Sequence, residues 1–202
     1  MSWTAWVSLA TICILGAMSP GPSLAVIIRN PVAGGRATGL ATALAHGVGV
    51  GVYALLVAFG LGLLVTGSEV LFRIVQLAGA AFLAYLGVTA LLSTGSAEPE
   101  TAEVAAGKAR GARDGFLIAF LNPKIAVWFL ALFSQFLRPE AGAVEKVMMA
   151  GLAAFIDAAW YAVVAIVLSQ GSILEWLRRR SLWVDRIFGV ILIALALRVI
   201  TL

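Results

Sequence analysis

Asp157 lies in the apolar run 152–161, with no other charge between Lys146 and Glu175. An ionised carboxylate inside such a stretch is costly in a bilayer, and groups of this kind face an internal cavity or a partner. The chemistry open to it is uptake and release of a proton. The plainer alternative is a carboxylate tied to a backbone or tyrosine donor that serves only packing. Lys124 follows Pro123 and could pair with Asp157, hold the carboxylate of a substrate, or snorkel to the interface. Asn122 can cap the half-helix beginning at Pro123, and the N-terminus of a half-helix is an anion site. His46 is the only histidine. It could relay protons, although hydrogen bonding at an interface is the more frequent role, and one histidine makes no metal site.

Two backbone interruptions would place these groups. Ser19-Pro20-Gly21-Pro22 cuts an apolar run that otherwise extends over 3–28. Pro20 and Pro22 have no N–H, so the carbonyls of Gly16 and Met18 lose their helical partners. Gly21 between them opens backbone conformations that other residues avoid. Pro123 frees the carbonyl of Ala119 in the same way. Bare carbonyls in lipid need protein, water or a ligand, so each break points to a cavity and a bound solute.

The surrounding elements are helices in a membrane. The 202 residues are 62% hydrophobic with a mean hydropathy of +1.03, and 12% are charged where a soluble domain has about a quarter. Six apolar segments can be drawn at 4–28, 39–66, 70–92, 115–137, 147–170 and 183–202, each near the ~20 residues a span needs. Alternation at a period of two is missing, which excludes a transmembrane barrel. Arg29-Asn30-Pro31 and Gly34-Gly35-Arg36 read as the turn after the first segment. The stretch 93–113 is polar and reads as a flexible linker.

That linker divides the chain into a first three-helix repeat at 1–92 and a second at 114–202. Pro20-Gly21-Pro22 answers Asn122-Pro123-Lys124; the run at Tyr53 answers that at Tyr161; Arg73-Ile74 with Gly79 answers Arg186-Ile187 with Gly189. An odd number of spans per repeat inverts the second half. The expected fold is thus all-α, with six transmembrane helices as two inverted repeats and their broken helices meeting near the midplane.

The net charge of +4 and pI near 9.7 do not indicate nucleic acid, because the basic residues occupy short loops, where they orient helices. Nine of the fourteen Lys and Arg fall after segments one, three and five, and Arg73, Arg138, Lys146 and Arg198 on the other side. This predicts cytoplasmic loops after segments one, three and five, and both termini outside. Should segment one fold back at its break, five spans remain. Residues 1–18 carry no Lys or Arg and do not read as a secretory signal. Cys13 is a solitary thiol and reads as a small core residue. The ladder Gly47-Val48-Gly49-Val50-Gly51 and the pair Gly35 and Gly39 read as close helix contacts, with Gly49 equally able to leave room for a ligand, and the six tryptophans, mostly near segment ends, suit an interfacial belt. Zinc, serine-protease and nucleotide-binding signatures are missing, so no enzyme, metal or cofactor is expected.

The sequence resembles the LysE/RhtB superfamily of bacterial amino-acid exporters. The resemblance rests on Met18-Ser19-Pro20-Gly21-Pro22, Gly34-Gly35-Arg36-Ala37-Thr38-Gly39 leading to His46-Gly47, and the third-segment run 79–87. It continues through 115–124, ending Asn122-Pro123-Lys124, to Asp157 and Trp160-Tyr161. It implies a multi-pass protein of the bacterial inner membrane whose partners are the lipid bilayer, protons and a small amino-acid substrate; a homodimer is left open. It also implies export driven by the proton-motive force, with Pro20, Gly21 and Pro22 at one break, Asn122, Pro123 and Lys124 at the other, and Asp157 between them. Some relatives have an acidic residue in the second segment, where this chain has His46 and glycines, so a neutral substrate is expected over a basic one. The alternative is a passive channel or scaffold whose breaks merely kink helices.

Overall fold

A computed structural model describes residues 1–19, 22–92, 107–138, 140–168, 183, 186–187 and 189–197. Pro20 and Gly21, most of the linker and the basic cluster 178–180 lie outside the described residues. Among the described residues the elements are all helical: α1 (Trp3–Met18), α2 (Pro22–Gly67), α3 (Glu69–Leu91), α4 (Lys108–Phe120), α5 (Pro123–Phe136) and α6 (Ala143–Leu168), with a further helical stretch at 189–197. Three helices are long and apolar enough to cross a membrane, at Gly34–Leu63, Glu69–Leu91 and Ala143–Val167. The α4–α5 pair makes a fourth if its 54° bend lies within one span.

Over the middle of α2, side-chain size more than hydrophobicity separates the buried face from the exposed one. Along α2, Ala43, His46, Gly47, Val50, Ala54 and Ala58 are buried, while Leu44, Val48, Leu56 and Leu63 point outward. Lipid is as apolar as leucine, so helices gain by placing small residues where backbones can approach. Gly47 and Gly51 meet α6 at Ala158 and Ala154, a four-residue spacing on both helices. Gly49 turns the other way, onto Ala119 and the Phe116 carbonyl of α4. The glycine ladder therefore seats α2 against two neighbours at once.

Two expectations about boundaries are corrected. Arg29-Asn30-Pro31 is not a turn: α2 is helical through it, and the only non-helical residue inside α2 is Gly35, at φ 77° and ψ 173°. The chain doubles back at Gly35, so Pro31 packs on Gly39 and the Asn30 amide donates to Thr42 Oγ1 at 3.0 Å. The second correction concerns 93–113. Its last residues belong to α4, whose helix begins at Lys108. Composition concealed this because the contact is made by glycine: Gly111 lies on Thr38 and Thr42, and Gly115 against the Thr42 carbonyl.

Contacts sort by level along the bundle. At one end the amino group of Met1 lies 3.0 Å from Glu145 at the start of α6, and Lys146 sits over Phe59, 5.4 Å from its centroid, near the end of α2. At the other end Gly39 meets Ala165, and α4 begins beside Thr38. α3 joins α5 through Gln135, whose amide donates to the Gln76 carbonyl at 3.2 Å, and meets 189–193 at Gly87.

Candidate functional site

The two interruptions are built differently. α1 stops at Met18; Ser19 turns extended at φ −65° and ψ 130° while its N–H still reaches the Leu15 and Gly16 carbonyls. Pro22 then opens α2. At the second break Asn122 is extended, and its Oδ1 accepts from the N–H of Lys124 at 2.9 Å, capping α5 behind Pro123 as expected.

A cavity of about 90 Å³ lies between these breaks. Its wall includes Cys13 and Ser19, Ser23 in the first turn of α2, His46 and Val50, Leu86, Asn122 and Lys124, Trp128 and Phe129, and Asp157 and Tyr161 of α6. A water needs about 10–15 Å³ of such space, so there is room for a molecule of several non-hydrogen atoms.

Asp157 is held by His46, whose Nδ1 lies 2.6 Å from Oδ2, and Lys124 lies on the same cavity wall. His46 is only 1% exposed. The pairing follows from the α2–α6 contact. His46 precedes Gly47 and Asp157 precedes Ala158, and Gly47 and Ala158 are where the two backbones touch. A carboxylate only accepts, so with Asp157 ionised and the imidazole neutral, Nδ1 carries the hydrogen and Nε2 presents a lone pair. Tyr161, one turn beyond Asp157, sets its ring edge-on to His46 with centroids 4.8 Å apart and an interplanar angle of 85°.

Of the residues singled out from sequence, His46, Asn122, Lys124 and Asp157 come together on one wall. Pro20 and Gly21 fall outside the described residues, and for Pro22 and Pro123 the helix starts are described. Ser23 and Trp128 were not singled out. The signal for Trp128 was its spacing, four residues after Lys124 on the face that leaves the break. Cys13 is buried in the core as expected and reaches the cavity as well. No group of three or more His, Cys, Asp or Glu that could hold a metal occurs among the described residues.

The family model described as LysE type translocator matches residues 14–202. The chain belongs to this family. Relatives of this LysE-type translocator include a homoserine/homoserine lactone efflux protein of Salmonella typhi, 26% identical over 156 residues, covering 77% of this chain and 76% of the relative. A threonine efflux protein of Escherichia coli is 24% identical over 190 residues, covering 92% of each chain. An uncharacterized membrane protein of Vibrio cholerae is 28% identical over 134 residues, covering 66% of this chain and 65% of its own length. No solved structure matches. The LysE-type translocator is thus a multi-pass helical membrane protein, and its buried His46–Asp157 pair lies on the wall of its interhelical cavity.

Proposed function

We propose that this translocator exports a small neutral amino acid across the bacterial inner membrane in exchange for protons. The observation that carries the reading is the His46–Asp157 pair at 2.6 Å on a cavity flanked by both chain breaks. A substrate carboxylate takes the free N–H groups of the half-helices beginning at Pro22 and Pro123, with Lys124 on the same wall. The ammonium takes bare carbonyls and the histidine–aspartate pair. Protonation of that pair from outside weakens its hold and releases the substrate. Relatives named for homoserine and threonine efflux favour neutral substrates, as does a cavity wall whose one carboxylate already has a partner.

The proposed frame is two inverted three-helix repeats, the first at 1–92 and the second opening with α4 at Lys108, joined by the polar stretch between them. A capped or extended break in each half, facing a common cavity, supports it. The contacts of Met1 with Glu145 and of Lys146 with Phe59 join the segment ends proposed to lie outside. Those of Gly39 with Ala165 and of α4 with Thr38 join the ends proposed to lie in the cytoplasm.

The test is uptake of labelled threonine and homoserine into everted membrane vesicles under an imposed pH gradient. Gradient-driven, saturable uptake that disappears in Asp157→Asn is expected. Flux that neither saturates nor follows the gradient would instead leave a passive channel or scaffold.

A further inference from the structure

Six buried side-chain polar atoms among the described residues have no hydrogen-bond partner, and three of them belong to one cavity: Ser23 Oγ, His46 Nε2 and Trp128 Nε1. Buried polar groups are normally paired, so three such atoms on residues lining one void are available to a polar molecule that enters it. Their chemistry differs by position. The indole N–H of Trp128 can only donate, and the Ser23 hydroxyl can donate to an anion. Both occur within the first two turns after a break, in α2 and in α5. His46 Nε2 is an acceptor while Nδ1–H serves Asp157, and it lies on the α6 side of the cavity.

We infer that Ser23 and Trp128 bind the carboxylate of a zwitterionic ligand while His46 Nε2 accepts from its ammonium, so that ligand and proton compete for one nitrogen. This rests on the export reading and gives it an atomic basis. A proton arriving at Nε2 turns the acceptor into a charged donor, which repels an ammonium at that position. Occupancy by one therefore excludes the other, which is the condition for obligatory exchange. The half-helix N-termini beside Ser23 and Trp128 favour the same orientation, because their dipoles draw the carboxylate to the breaks.

Cys13 on α1, Lys124 on α5, and Asp157 and Tyr161 on α6 are the other titratable groups on the wall. Replacing His46 by glutamine isolates the imidazole from them, since an amide accepts a hydrogen bond but takes no proton.

The test is counterflow of labelled threonine or homoserine in proteoliposomes holding the full chain, with two unlabelled competitors: the amino acid and the amine that lacks its carboxylate. In wild type the amino acid should compete about tenfold or more better, as expected of hydrogen bonds to a charged group. In Ser23→Ala and Trp128→Phe this preference should shrink toward parity. Partial misfolding lowers the amplitude of counterflow without altering a ratio between competitors. Wild-type affinity for the amino acid should fall as the medium is made more acidic, and the fall should be lost in His46→Gln. Wild-type preference in both cavity variants, or an unchanged pH dependence in His46→Gln, overturns the inference and leaves export standing. Absence of counterflow in wild type overturns the export reading and the inference with it.

Discussion

Nδ1 of His46 and Oδ2 of Asp157 meet at 2.6 Å across 111 residues of chain, at the place where Gly47 brings α2 against Ala158 of α6. The close approach and the polar pair are a single feature. Small residues at i and i+4 on both helices let the backbones touch, and the neighbouring side chains are then near enough to share a proton.

Asp157→Ala should therefore do more harm than Asp157→Asn. Alanine leaves Nδ1 of a buried imidazole unpaired, a loss of about 1–3 kcal/mol, whereas asparagine retains an acceptor oxygen. Thermal unfolding in detergent should rank wild type, then Asp157→Asn, then Asp157→Ala. Both variants should lose gradient-driven uptake; full pH-driven transport by Asp157→Asn would remove the proposed proton site.

Gly115 and Gly47 should not tolerate even a methyl group. A Cβ at Gly115 overlaps the Thr42 carbonyl, and one at Gly47 comes 2.5 Å from Ala158 Cβ and 3.0 Å from the Ala154 carbonyl oxygen. Backbone cannot swing aside, so Gly115→Ala and Gly47→Ala should each cost about 1–3 kcal/mol. Gly151 in α6 has nothing within 4 Å of such a Cβ, and Gly151→Ala should gain about 0.5–1 kcal/mol from its better helix propensity. Equal melting temperatures for all three would refute the packing described for α2.

Gly35→Ala is a test of backbone conformation alone. Open space surrounds its Cβ position, yet φ 77° with ψ 173° is a region essentially reserved for glycine. A penalty of about 1–3 kcal/mol is expected from the backbone, with no steric contribution. A neutral substitution in the same melting assay would mean the α2 reversal adopts another geometry.

Asn122→Ala removes the side chain that accepts from Lys124 N at 2.9 Å and should cost about 0.5–2 kcal/mol, while Asn122→Asp or Asn122→Ser keeps an acceptor and most of that stability. Because α5 carries both Lys124 and Trp128 to the cavity, the alanine variant should also raise the half-saturating substrate concentration. If alanine and serine behave alike in melting and in uptake, the cap has no part in holding α5.

The proposed orientation can be read by labelling. In a Cys13→Ala background, a cysteine at Gly142 should react with an impermeant maleimide applied to intact cells. One at Ser96 should react only after the membrane is opened. The reverse pattern would invert the topology.

Hydropathy was enough to show a bundle of membrane helices, and proline placement located both breaks, because each depends on local properties of the chain. Asn122 as a cap and Asp157 as an interior charge were legible for the same reason. Of the two turn signals after the first segment, Gly34-Gly35-Arg36 holds the reversal, at Gly35, whereas Arg29-Asn30-Pro31 stays helical and packs on Gly39 and Thr42 farther along the chain. Composition likewise stretched the linker into α4, whose polar first turns dock through Gly111 and Gly115.

Which groups face one another was decided by tertiary structure alone. A helix in lipid is apolar all round, so its sequence specifies a span but hardly its rotation about its own axis. Rotation and close packing of α2 and α6 gave Asp157 to His46. Assembly of α1, α2 and α5 around the breaks brought Ser23 and Trp128, unremarkable in the chain, onto the same cavity wall.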